Sequence, residues 1–242
     1  MASFTDQTPY DVRFEWGELG LRALAERASV FVIVDVLSFS TCVALACARG
    51  AEVLPYPWKD ERVGEFAAAR RALVASPRRE SGYSLSPASL ADIAAGTRLV
   101  LPSPNGSSLS FGAAEAGHVL AGAVRNASAV AARARALGGP VAVVAAGERW
   151  PDASLRPAAE DLIGAGAIVA RLHGSVSPEA SLAAAAWARA ERDLAGALHD
   201  CASGRELVQR GFARDVELAA ELDASPAAPR LRDGAFARDD GP

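Results

Sequence analysis

Cysteine is scarce: three residues in 242, at 42, 47 and 201, an odd number with no C-x-x-C spacing. Neither a disulfide framework nor a cysteine-held structural zinc site is expected from such a set. Cys42 and Cys47 instead read as small apolar residues of a helix. The three histidines, His118, His173 and His199, are scattered with no metal-ligand spacing. Basic residues are outnumbered, 25 Lys and Arg against 29 Asp and Glu, and no long basic block occurs, so nucleic acid is not an expected partner. No apolar run approaches the ~18 residues of a membrane span. The opening M-A-S-F-T-D-Q has neither a basic nor an apolar leader region, which fits a soluble, cytoplasmic protein. A G-x-G-x-x-G fingerprint and a Walker loop are also missing, so NAD and ATP are poor candidates.

What is present is apolar side chain: half the residues are hydrophobic and 22% charged, enough for a sizeable core. That surplus is compatible with a homodimer. Strand-like runs at 10–16, 30–34, 52–56, 98–101, 118–121 and 141–146 alternate with helical patterns at 18–27, 42–48, 60–75, 107–116, 127–137 and 162–172. Helical patterns then dominate 178–202, 204–210 and 214–222, while the proline- and serine-rich stretch 76–90 reads as a long loop. Alternation of this kind predicts a three-layer α/β/α fold with a mostly parallel or mixed central sheet. Residues 1–242 read as one α/β domain, with 1–9 and 224–242 peripheral or partly disordered.

The chain is organised around V-F-V-I-V-D-V-L-S-F-S-T, residues 30–41. Five consecutive apolar residues without a polar face read as a strand buried on both sides, and Asp35 stands where it gives out. Ser38, Ser40 and Thr41 follow at a helix start. Such places build anion and metal sites in open α/β sheets, although a turn-capping Asp and a helix-capping hydroxyl would look the same. Three further polar stations follow strands or open helices: Asn105-Gly106-Ser107-Ser108, Gly147-Glu148-Arg149 and Glu160-Asp161. The first offers backbone N–H groups and hydroxyls suited to phosphate, or merely an Asn-Gly turn capping a helix. Glu148 closes an apolar run and must be solvated, paired with Arg149 or metal-bound. Glu160 and Asp161 either hold a metal or complement the helix dipole. Asp35, Glu148, Glu160 and Asp161 together are hard oxygen donors of the kind Mg²⁺ takes.

In that order, V-I-V-D-V-L-S-F-S-T, P-N-G-S, A-A-G-E-R, E-D-L-I-G-A-G-A-I and S-G-R-E-L-V-Q-R-G-F-A-R-D-V-E-L-A-A-E-L resemble the 2-phosphosulfolactate phosphatase family over residues 28–238. The resemblance implies a three-layer α/β/α fold and Mg²⁺-dependent hydrolysis of 2-phospho-3-sulfolactate to sulfolactate and phosphate, as in coenzyme M biosynthesis. It points to the same four stations.

Two departures stand out. The family pattern D-V-L-R-A-S-T has Arg where this chain has Ser38, and a hydroxyl cannot replace a guanidinium's charge and planar fork. Arg149, or Arg125 beside Asn126, is the candidate replacement. The family's D-x-G-N-S-P loop survives only as Y-S-L-S-P at 83–87.

The chemistry expected is that of a Mg²⁺-dependent phosphomonoester hydrolase acting on a small anionic phosphoester. Asp35, Glu160 and Asp161 would hold the metal, while Ser38, Ser40, Thr41, Asn105, Gly106, Ser107, Arg125, Asn126 and Arg149 would bind substrate oxygens. Glu148 would act as acid or base, and Asp35 could alternatively be a nucleophile. The rival is a non-catalytic small-anion-binding protein, with Ser38 marking lost chemistry.

Overall fold

A computed structural model describes residues 4–57, 60–78 and 80–239. In chain order it contains β1 (Val12–Trp16), α1 (Gly17–Leu24), β2 (Val30–Val34), α2 (Phe39–Ala48), β3 (Glu52–Tyr56), α3 (Val63–Ala69) and β4 (Leu73–Val74). Next come β5 (Arg98–Pro102), α4 (Gly106–Ala113), β6 (His118–Gly122), α5 (Ala127–Leu137), β7 (Val141–Ala145), β8 (Glu148–Arg149) and β9 (Leu155–Arg156). The chain closes with α6 (Ala159–Val169), α7 (Pro178–Ala190), α8 (Leu194–Asp200), α9 (Ala202–Gln209), α10 (Ala213–Ala219), β10 (Pro229–Arg232) and β11 (Ala235–Arg238).

The main sheet has nine strands in the order β1-β7-β2-β6-β10-β11-β3-β5-β4. Pairing is parallel within β1-β7-β2-β6 and within β3-β5-β4. β2 pairs on both sides, which is why its sequence is an unbroken apolar run. Its side chains alternate between two cores. Val30, Val32 and Val34 pack with α5, α6 and α7 on one face, and Phe31 and Ile33 with α1, α2 and α4 on the other. The result is the three-layer α/β/α arrangement.

Three local expectations are corrected. The helix foreseen over 60–75 is only α3, after which the chain extends into β4 beside β5. The helical stretch 178–202 is divided into α7 and α8 by a 3₁₀ turn at Glu191–Asp193. Within 1–9, the described residues are not a loose end: Gln7 is buried, and its side chain donates to Phe14 O (2.7 Å) and accepts from Phe14 N (3.1 Å).

The larger correction concerns 224–239. Rather than lying on the periphery, β10 and β11 form a hairpin inserted into the sheet, antiparallel to β6 on one side and β3 on the other. Asp233 and Gly234 both have positive φ, 51° and 79°, as a two-residue hairpin turn requires. Phe236 is fully buried and meets Phe39 edge-on at 6.1 Å, so the hairpin backs the segment that follows β2. Phe236→Ala should therefore lose about 3–5 kcal/mol. A chemical denaturation midpoint unchanged from wild type would contradict this placement.

Among the described residues, no helix is long and apolar enough to cross a membrane.

Candidate active site

At the end of β2 the chain must turn sharply into α2, and side chains complete the turn. Asp35 Oδ1 accepts from Phe39 N (3.1 Å), and Asp35 N donates to Ser40 Oγ (3.1 Å). Ser40 Oγ in turn donates to Ile33 O (2.9 Å), and Thr41 Oγ1 to Val36 O (2.7 Å). Both hydroxyl residues have zero exposure. They are spent on the backbone, and the oxygen-binding role foreseen for Ser40 and Thr41 is not supported by their geometry. Ser107 is corrected likewise: it is buried and donates to Leu101 O (3.0 Å).

The other polar stations do converge on Asp35. Its Oδ2 accepts from Gly106 N, the first residue of α4, at 2.9 Å. Only glycine fits there, since a Cβ at Gly106 would lie 2.3 Å from Phe39 Cδ1 and 2.8 Å from Asp35 Oδ2. Asn105 Nδ2 donates to Glu148 Oε2 (3.1 Å), joining the start of α4 to the segment after β7. Asp161 bridges two strand ends, with Oδ1 accepting from Val36 N (2.7 Å) and Oδ2 from Gly147 N (2.8 Å). Its helix α6 sits close to the end of β2 because Gly164 has no side chain: a Cβ there would fall 2.5 Å from Val36 Cγ2 and 3.1 Å from Val34 Cγ1. Asp161 is thus a tie between β2 and β7, a task its sequence position does not announce.

Four carboxyl side chains, of Asp35, Glu148, Glu160 and Asp161, lie near enough to act on one another electrostatically. Burial, then the charges of Asp35 and Glu160, push Glu148 up to about 7. Burial is also the main cause raising Asp35 and, more strongly, Asp161, with Glu160 adding to both. Glu160 itself is 2% exposed, and its Oε2 has no hydrogen-bond partner. Cys201, at the start of α9, is pushed up to about 12 by burial and by Glu160.

A cluster of this sign invites a cation. The three-carboxylate site expected from Asp35, Glu160 and Asp161 is corrected: among the described residues no three Asp, Glu, His or Cys groups are placed to hold a metal ion together, and both Asp161 oxygens are spent on backbone N–H groups. The one carboxylate oxygen that would suit a hard cation such as Mg²⁺ is the buried Glu160 Oε2, which has no hydrogen-bond partner.

Asp35, Ser38, Asn105 and Glu148 line one cavity of about 260 Å³. Arg78 and Arg210, which the sequence did not single out, line it too. Arg78 Nη2 donates to Ser38 Oγ at 2.6 Å, so a guanidinium reaches position 38 from the loop 76–90. The three residues proposed for anion binding elsewhere are placed differently. Arg125 is buried, donating to Leu218 O and Glu221 Oε2 (both 2.6 Å). Asn126 ties Ala121 O and Ala227 O, both at 3.1 Å, to its amide. Arg149 is exposed and donates to Ala153 O (3.0 Å), lining a neighbouring cavity that Asn105 and Glu148 also line.

Comparison with known proteins bears on this arrangement. The family model described as 2-phosphosulpholactate phosphatase matches residues 20–234, which contain every carboxylate of the cavity. The chain belongs to the 2-phosphosulfolactate phosphatase family. Among relatives, a protein of Thermus thermophilus named probable 2-phosphosulfolactate phosphatase is 33% identical over 216 residues, covering 84% of this chain and 88% of that protein. A second of that name, from Gloeobacter violaceus, is 30% identical over 209 residues, covering 82% and 86%. Within the 2-phosphosulfolactate phosphatase family, then, this chain places Ser38 and Arg78 side by side in a cavity that Asp35 and Glu148 also line.

Proposed function

We propose that this protein is a Mg²⁺-dependent phosphatase that releases phosphate from 2-phospho-3-sulfolactate or a closely related small 2-phospho acid. The observation that carries the reading is that Asp35, Asn105 and Glu148, from distant segments, line one cavity, with Gly106 N bonded to Asp35 and the buried Glu160 near enough for its charge to raise Asp35 and Glu148. Family membership supports the same chemistry.

Glu160 and Asp35 would hold the ion, which when bound supplies charge neutralisation for the phosphoryl oxygens. The protein's own groups do the rest. Asp35 anchors the first N–H of α4 and fixes the turn over which the substrate would lie. Glu148 carries a proton for much of the time near neutral pH because its carboxyl is raised to about 7. A secondary alkoxide is a poor leaving group, so we assign Glu148 as the general acid that protonates the departing oxygen. Asn105 orients Glu148 by donating to Oε2. Asp161 keeps Val36 and Gly147 in register and so holds the two strand ends together.

The test is phosphate release from 2-phospho-3-sulfolactate, phospholactate and an aryl phosphate, each with Mg²⁺ and with a chelator. Turnover of the sulfolactate ester in Mg²⁺ alone is expected. Turnover of none, alongside measurable binding of the same anions, would establish the non-catalytic binding protein instead.

A further inference from the structure

Glu148 and Asn105 line two cavities, the one of about 260 Å³ that Asp35 also lines and a neighbouring one of about 340 Å³. Their mutual hydrogen bond, 3.1 Å long, therefore belongs to the walls of both. The second cavity is enclosed by the end of β1, by α1, by the start of α4 and by the β8–β9 hairpin. Its surface is mainly carbon, from Trp16, Leu19, Leu109, Ala146 and Leu155. Besides Glu148 its charged residues are Glu18 and Arg149, of opposite sign, so it does not select a second anion.

The apolar wall is built rather than incidental. Leu155 packs over Gly17 and Gly147, which have φ of 58° and 65°, a region that favours glycine. A Cβ at Gly147 would lie 2.8 Å from Leu155 Cδ1, and one at Gly17 would lie 3.3 Å from the same atom. Trp16 is held by Phe14, which meets it edge-on at 5.4 Å. Yet Leu155 remains 39% exposed and Leu19 79% exposed, beside a buried carboxyl cluster. Large apolar side chains left open around a cavity with few polar groups are the mark of a small-molecule subsite. The volume is that of a modest ligand pocket, of the order of 300 Å³ and upward.

A departing oxygen that takes its proton from Glu148 must come within hydrogen-bond reach of that carboxyl. With the phosphoryl group on the Asp35 side, the carbon that bears this oxygen stands beside Glu148, and the second cavity is next to its substituents. We propose that this cavity receives an apolar group carried by the departing alcohol, so that 2-phospho acids with an aromatic or branched aliphatic side chain are a further substrate class. Leu155 is the specificity-determining residue, with Leu19 beside it. The inference rests on reading Glu148 as the acid of the phosphatase reaction. In that reaction water bonds to phosphorus, the ester P–O bond breaks, and Glu148 gives its proton to the departing oxygen. The products are the 2-hydroxy acid and inorganic phosphate, and a proton of the attacking water restores Glu148 by way of solvent.

The experiment compares two pairs of probes on the full chain: calorimetric binding of 3-phenyllactate and lactate, and phosphate release from their 2-phosphoesters. Wild type should bind 3-phenyllactate at least about tenfold more tightly than lactate, and kcat/KM should favour the phenyl-bearing phosphoester by a similar factor. Leu155→Ala should cut both preferences at least about threefold. Leu19→Ala alters a side chain that is mostly in solvent, so it should melt like wild type and cut them in the same direction. No preference in wild type, or a preference unchanged in both folded variants, would overturn the inference. Should wild type lack the preference and form a dimer that Leu19→Glu converts to monomer, the apolar face belongs to a second copy instead. Preferential binding of 3-phenyllactate with turnover of neither phosphoester would sink the phosphatase reading and leave the subsite standing. Turnover of both at equal kcat/KM, with equal binding of both hydroxy acids, would sink this inference alone.

Discussion

Asp35→Asn should lower kcat for Mg²⁺-dependent phosphate release by roughly 10³-fold, equivalent to several kcal/mol of lost charge stabilisation. The size of the effect follows from two losses at one position. The variant removes a negative charge from the edge of the cavity where the ion is expected. It also turns an amide toward either Phe39 N or Gly106 N, and a donor facing a donor cannot replace the bond that Oδ1 or Oδ2 accepts now. The start of α4, and Asn105 with it, would lose its anchor. Far-UV circular dichroism should remain that of wild type, because Asp35 contributes little apolar burial. A folded Asp35→Asn with full activity would remove the metal and the catalytic role together.

Glu148→Gln should reduce kcat by about 10²-fold, the contribution typical of a positioned proton donor. It should also abolish one limb of the pH profile. With its carboxyl raised to about 7, Glu148 is protonated below that value, so wild-type kcat should fall as pH rises through 7 while the variant stays flat. Stability carries the same signature. In the unfolded chain Glu148 titrates near its ordinary value, so between there and about 7 the folded state holds a proton the unfolded state has released. Wild-type stability therefore declines as pH rises across that window, and Asp35 and Asp161, also raised, decline in the same direction. Gln cannot ionise and can still accept from Asn105, so at pH 8 the variant should melt higher than wild type, by about 2–4 °C after allowing for the partial exposure of Glu148. At pH 5 the advantage should vanish. A variant that loses activity and stability equally at both pH values would show Glu148 to be a packing residue.

Much of the fold was legible because burial writes directly into sequence. β2 pairs on both sides, and Val30–Val34 shows it as an uninterrupted apolar run ending at Asp35. The carboxylates were legible for a related reason, since an acid directly after such a run needs a partner wherever the chain goes. The hydroxyls were not. Ser40, Thr41 and Ser107 at helix starts look the same in sequence whether they face a ligand or a nearby carbonyl, and here the carbonyls claim them. Arg125 and Asn126 were misread because their partners, Glu221 and Ala227, come from a tail about a hundred residues away. The hairpin of that tail carried its own signal in Asp233-Gly234, obscured by the prolines and mixed charge of the surrounding stretch. Arg78 had none. One of two arginines in a loop of serines and prolines becomes distinctive only when Asp215 and Ser38 fold against it.

The central claim, that Glu160 and Asp35 form the seat of a divalent ion, is tested most directly by calorimetry of Mg²⁺ binding to the full chain. Wild type should bind Mg²⁺, and Glu160→Gln should bind it at least about tenfold more weakly. Absence of Mg²⁺ uptake by wild type, or equal uptake by Glu160→Gln, would contradict the account.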